Sequence, residues 1–171
     1  MAKEIFYHNF NADLVKMFGE FGSENFIRDL CSKLNVMIYL PGDYIIERGT
    51  IGREMYFVCD GLVNQIAIDN KTWVGRFFVG DYFGELGILF EMKRTIQMQA
   101  QTFCLLNELK KEDIDEVSKS YPKVAAGLKE VAEEKLLILK NFKNLNAEER
   151  KTLKFGGIIE KSIDDSSNTE D

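Results

Sequence analysis

The sequence predicts an α+β fold, a small antiparallel β-roll (a jelly-roll-like barrel) set between helices from both ends of the chain. Two observations predict it. Across residues 36–106, short runs of strand-forming residues alternate with glycine-bearing turns at close, even spacing, the pattern of a small antiparallel barrel or jelly roll. On either side, apolar residues return at intervals of three and four, the period of a helix with one buried face.

The N-terminal helices occupy residues 4–35, where Phe10, Leu14, Val15, Phe18, Phe26, Ile27, Leu30 and Leu34 carry the apolar stripe. Gly19 and Gly22 interrupt it and Ser23 offers an N-cap, so two short helices with a kinked joint are expected. Strands are expected over 36–40, 44–47, 54–59, 62–68, 73–79, 95–100 and 102–106. The turns between them carry Pro41-Gly42-Asp43, Gly49 and Gly52, Asp60-Gly61 and Gly80-Asp81, with a hairpin tip at Asp69-Asn70-Lys71. Lys111-Glu112-Asp113 opens a short helix through Val117. Tyr121-Pro122 breaks the chain, and proline is tolerated in the first turn of the helix that follows. That long helix runs over 123–142 with Val124, Leu128, Val131, Ala132, Leu136 and Leu139 on its stripe. Leu136-Leu137-Ile138-Leu139 is apolar all round and asks for contacts on two sides. The organisation is therefore N-terminal helices over 1–35, a roll over 36–106 with C-terminal helices over 109–142, and a polar tail over 143–171 whose end reads as disordered.

Composition narrows the function. A chain of 171 residues buries one good core with terminal extensions, and 45% hydrophobic with 29% charged residues is ordinary for a soluble domain. The net charge of −6 comes with no sustained basic stripe, which argues against nucleic acid. No apolar run approaches the length of a membrane span, and no apolar segment follows Met1-Ala2-Lys3-Glu4, so neither membrane insertion nor a leader is expected. Cys31, Cys59 and Cys104 are scattered in apolar contexts and read as reduced packing residues. His8 stands alone, so no metal is expected. No Ser/His/Asp set, nucleophile elbow or carboxylate pair is found, and the chain is not expected to be an enzyme.

The chemistry concentrates in Phe83-Gly84-Glu85-Leu86-Gly87 and the following run to Arg94-Thr95. Gly84 and Gly87 allow a tight turn with exposed N–H groups. Leu86, Ile88 and Leu89 would hold a helical turn against a core, and its N-terminus favours an anion. Arg94 supplies a planar fork suited to phosphate, and Glu85, an acceptor when ionised, suits a hydroxyl. One ligand with a phosphate and a hydroxyl a few ångströms apart meets all three demands, and a ribose 3′,5′-cyclic phosphate has that geometry. Arg94 is expected to carry little packing, so that its reversal to glutamate would spare the fold.

This run resembles the phosphate-binding cassette of cyclic-nucleotide-binding domains. Pro41-Gly42-Asp43-Tyr44-Ile45-Ile46, Gly49, Ile51-Gly52-Arg53-Glu54-Met55-Tyr56-Phe57 and Gly61 resemble the first strands of the same domain in the hyperpolarisation-activated (HCN) and cyclic-nucleotide-gated (CNG) ion channels. Tyr121-Pro122 before a final helix is similar to that branch as well. The resemblance covers roughly 4–142. It implies a ligand site of Phe83, Gly84, Glu85, Leu86, Gly87, Arg94 and Thr95, closed by Lys135 and Leu139 on a lid helix. Thr95 matches a position compatible with both cAMP and cGMP. Lys135 aligns with an arginine that covers the purine, and Leu139 replaces the acid of cGMP-selective subunits, which tilts the reading to cAMP. Ile96 departs from the small residue usual after the Arg-Thr pair; facing inward it would crowd the phosphate, facing outward it would be harmless.

The resemblance implies a cytoplasmic sensor of cAMP or cGMP, part of a larger membrane protein, that regulates a parent channel or transporter and contacts neighbouring subunits. A kinase regulatory subunit would carry tandem cassettes and a pseudosubstrate segment, which are not seen. A ligand-free interaction domain of the same fold would not need Glu85 and Arg94. A catabolite-activator-type transcription factor would need a helix-turn-helix that 143–171 is too short and polar to supply.

Overall fold

The structure, a computed structural model, describes residue 18 and residues 22–66, 73–94, 96–127, 129–130 and 133. The first described helix, α1 (Glu24–Cys31), starts where the sequence places a cap: the Phe26 N–H donates to Ser23 Oγ at 3.3 Å. Phe26, Ile27 and Leu30 are buried on one face.

Eight strands follow: β1 (Asn35–Tyr39), β2 (Tyr44–Ile46), β3 (Glu54–Asp60), β4 (Val63–Ile66), β5 (Trp73–Phe77), β6 (Tyr82–Phe83), β7 (Gln97–Ala100) and β8 (Cys104–Lys110). Between β6 and β7 lies a short helix, α2 (Glu85–Phe90), and α3 (Lys111–Ser118) follows β8. The described strands form two four-stranded sheets, ordered β1-β8-β3-β6 and β2-β7-β4-β5, and every pairing is antiparallel. Residues 122–127 are again helical, with Pro122 in the first turn.

Strand alternation gives β3 two buried faces. Met55 and Phe57 pack with Phe18, Phe26, Ile27, Leu30, Ile114 and Val117 in a helical layer. Tyr56 and Val58 point the other way, into a roll interior with Ile46, Val63, Phe77, Phe83, Met98 and Leu106. β3 is thus the partition between two cores.

Several strands shift by one or two residues from the expectation, and the structure departs further in three places. The last strand runs to Lys110 rather than 106, because Met55 pairs with Leu109 and Glu54 with Lys110. Asn107 and Glu108 have weak strand preference, and only this pairing overrides it. The strand expected over 73–79 ends at Phe77, where Asp81 Oδ2 accepts the Phe78 N–H at 2.7 Å and closes a turn. Tyr82–Phe83 then pair with Phe57 and Tyr56 as a two-residue strand that no periodicity could signal. The helix stretch before residue 18, the tip at 69–71, the long helix beyond 133 and the tail 143–171 lie outside the described residues.

Candidate functional site

The site grows from a turn that only glycine makes easily. Gly84 has φ 89° and ψ 2° at the N-cap of α2. The left-handed backbone reverses the chain off β6 and directs the next residues into a helix of six. Ile88 anchors that helix in the helical-layer core. The helix ends at Glu91, also left-handed at φ 47°, whose N–H returns to Gly87 O at 2.9 Å.

The chain then runs back beside the turn before β3. Lys93 bridges Ile51, the Arg94 N–H donates to Thr50 O at 2.7 Å, and the Gly49 N–H donates to Arg94 O at 2.8 Å. This pairing delivers the Arg94 side chain beneath the Gly84 turn. Its Nη1 donates to Gly84 O at 2.9 Å and its Nη2 to Glu54 O. The guanidinium lies against the bare Cα atoms of Gly52 and Gly87; a β-carbon at either would overlap it. Arg94 is only 7% exposed, and Glu85, the first residue of α2, only 3%. Burial lowers the Arg94 pKa, and the charges of Glu54, Tyr56 and Glu85 oppose that shift. A buried base and a buried acid therefore share one turn, with a second acid, Glu54, close by.

The other predicted site residues fall into place around this pair or outside view. Phe83 is buried at the roll-interior end, with its ring centroid 5.6 Å from that of Tyr56 and 5.2 Å from that of Phe77. Leu86 is half-buried and Gly87 is buried. Ile96 packs against the roll-interior cluster, so it faces inward. Thr95, Lys135 and Leu139 lie outside the described residues. The expectation that Arg94 carries little packing is corrected: its fork is enclosed by three glycines and two carbonyls, because an arginine that reaches under the cassette must replace lost water with backbone acceptors. Gly52 and Glu54 belong to the site through these contacts. Sequence reasoning placed them in a turn and a strand, and no local signal could say that Arg94 would land on them.

An exposed charge network borders the cassette. Arg53 bridges Glu91 at 3.1 Å and Glu112 at 3.0 Å, and Lys111 holds Asp115 at 3.0 Å. It ties the end of α2 to the start of α3.

The family model of the cyclic nucleotide-binding domain matches residues 36–121. The chain belongs to that family. Relatives include the potassium/sodium hyperpolarization-activated cyclic nucleotide-gated channel 4 of Homo sapiens, 37% identical over 112 residues, which are 66% of this chain and 9% of the channel. Channel 2 of Mus musculus is 37% identical over the same length and 13% of that protein, and channel 1 of Oryctolagus cuniculus is 35% identical over 12% of its length. The chain thus spans a small part of the channels it matches. Within the family, the matched segment holds the whole roll and cassette as well as α3. Among the described residues no helix is long and apolar enough to cross a membrane.

Proposed function

We propose that this domain binds a purine 3′,5′-cyclic nucleotide, cAMP in preference to cGMP, and acts as the regulatory sensor of a larger channel or transporter on its cytoplasmic side. The observation that carries the reading is the burial of Arg94 and Glu85 on one glycine turn at the edge of the roll interior. The guanidinium has more N–H donors than the two carbonyls use, and it offers them to a cyclic phosphate as charge-assisted bonds. Glu85 accepts from the ribose 2′-hydroxyl. Phe83, Gly84, Leu86 and Gly87 shape the cassette, and Thr95 contributes its hydroxyl. The purine extends into the roll mouth, where the final helix brings Lys135 and Leu139 over it.

The route to output is a population shift: ligand favours the arrangement in which the final helix is closed, by as much as its affinities for the two arrangements differ. Support for a mechanical link lies at the start of that helix. The Tyr121 hydroxyl donates to Asp29 Oδ2 at 2.6 Å, the Tyr121 ring meets Phe26 edge-on at 5.5 Å, and Lys33 pairs with Glu116 at 2.9 Å. Motion of the C-terminal helices is thereby felt by α1, on the side that would lead to a pore. Calorimetric titration of the chain with cAMP and with cGMP tests the reading. Saturable binding of cAMP, weaker binding of cGMP and loss of both in Arg94→Glu are expected; heat of dilution alone for both nucleotides overturns it.

A further inference from the structure

The roll interior is apolar except in one row. Val63, Phe77 and Ala100 pair across β4, β5 and β7 and all belong to the interior cluster. Two residues further along β4, on the same face by strand alternation, stands Gln65. Its partners in register are Gly75 on β5 and Met98 on β7, and Met98 belongs to the interior cluster. Gln65 is 8% exposed, so a carboxamide has been brought into an otherwise hydrocarbon space. Gly75 leaves room for it: the Gln65 side chain lies across the bare Cα, with Oε1 3.1 Å from where a β-carbon of residue 75 would be. Burying an amide in such a place costs free energy unless a partner meets it.

The chain that leads into β7 comes from the cassette. Arg94, Ile96, Met98 and Ala100 follow at period two, and the last three face the interior. Gln65 therefore stands beside Met98, four residues along the chain from Arg94, a stretch that spans at most about 14 Å. With the cyclic phosphate on Arg94, that span is of the order of a nucleotide's length, and the base edge comes toward Gln65.

We propose that Gln65 reads the purine, and that it prefers adenine because its carboxamide presents an acceptor beside a donor. Adenine offers the complement on its N7 edge, the 6-amino donor beside the N7 acceptor, and glutamine pairs bidentately with that edge. Guanine offers two acceptors, O6 and N7, on the major-groove edge, which leaves the Gln65 carbonyl facing an acceptor. This inference rests on the cyclic-nucleotide reading of the cassette and adds the residue that selects the base. It is independent of the lid residues.

The test is calorimetric titration of the full chain and of Gln65→Val and Gln65→Met with cAMP, cGMP and the cyclic monophosphate of unsubstituted purine riboside, which lacks the 6-amino group. Both variants keep an apolar interior and a strand-compatible residue, and two sizes guard against loss of fold in one. Wild-type chain is expected to prefer cAMP over both other ligands. Each variant is expected to lose roughly tenfold or more in cAMP affinity and to bind the 6-unsubstituted ligand about as wild type does. Equal binding of cAMP by wild type and both variants, or an unchanged ratio of cAMP to cGMP, overturns the role of Gln65 and leaves the cassette reading standing. Failure of wild type to bind any of the three overturns both.

Discussion

Arg94 is a structural residue as well as the proposed phosphate ligand, and its substitutions separate the two roles. Replacing it by glutamate brings a carboxylate against two carbonyls and beside Glu54 and Glu85. That variant should lose nucleotide binding and also unfold earlier, by about 1–3 kcal/mol for the orphaned acceptors alone. Arg94→Lys keeps the charge without the fork; urea denaturation should show a smaller loss while titration still shows weakened binding. Wild-type stability in Arg94→Glu would mean that the carbonyl contacts contribute nothing. Gly52→Ala reaches the same guanidinium from outside the cassette, since its β-carbon would overlap the fork. It should weaken cAMP binding although residue 52 touches no ligand group, and unchanged affinity would show that the fork has another seat. Asn107 is a different case. It is fully buried in the helical-layer face of β8, in register with Phe57, and neither side-chain polar atom has a partner among the described residues. Asn107→Leu should therefore stabilise the fold by about 1–2 kcal/mol in urea denaturation, since it removes the desolvation cost of an unpaired amide. A destabilised variant would point to a partner for that amide in solution.

At the scale of elements, the cassette is a short helix held at three places: Gly84 at its start, Ile88 in the core and Glu91 at its end. Its exposed ties to Arg53 and Lys111 are rim contacts, each worth up to about 1 kcal/mol and weaker at high salt. The acids beside Arg94 matter more. Glu54 and Glu85 both stabilise the charge on Arg94, so an incoming phosphate competes with them. Removing the Glu54 charge leaves its backbone carbonyl in place. Glu54→Gln should accordingly raise cAMP affinity several-fold at low ionic strength, with the gain shrinking as salt is added. Titrations at two salt concentrations measure this, and a loss of affinity would mean that Glu54 assists the ligand. The run from Phe83 to Arg94 stood out in the sequence as a candidate cassette because its glycines, acid and base lie close together. Strand β6 did not, because two residues carry no period and are strand only through Tyr56 and Phe57.

For the whole molecule, the proposed function makes the roll the fixed body and the helices around β3 the part that reports. α1, α3 and the segment from Tyr121 pack on the outer face of β3, Gln65 belongs to its inner side, and the cassette reaches both, with Phe83 in the roll interior and Ile88 in the helical layer. A nucleotide on the cassette would reach the N-terminal helices through Ile88, which shares their core, as well as through the C-terminal helices. Hydrogen exchange with saturating cAMP should show new protection over 131–142 and a smaller gain in α1, with little change around Met55–Val58 in the strand core. Leu139→Ala should weaken binding and reduce the gain over 131–142. Tyr121→Phe removes the bond to Asp29 and should keep most of the affinity while reducing the gain in α1. Equal protection of 131–142 with and without nucleotide, alongside a response at 84–94, would leave binding intact and end the lid mechanism.

The order of elements, the helical and strand periods and the cassette chemistry are properties of neighbouring residues, and neighbouring residues alone determined them. Ser23 caps α1 and Gly84 turns the chain for reasons visible within a few positions. Tertiary structure decided what depends on distant partners. It extended β8 to Lys110 through Met55 and Glu54, and turned Ile96 inward. It also seated Arg94 on Gly52 and Glu54 O, and set Gln65 opposite Gly75 and Met98. Strand pairing and burial join residues that lie far apart in the chain, and local propensity carries no information about which of them will meet.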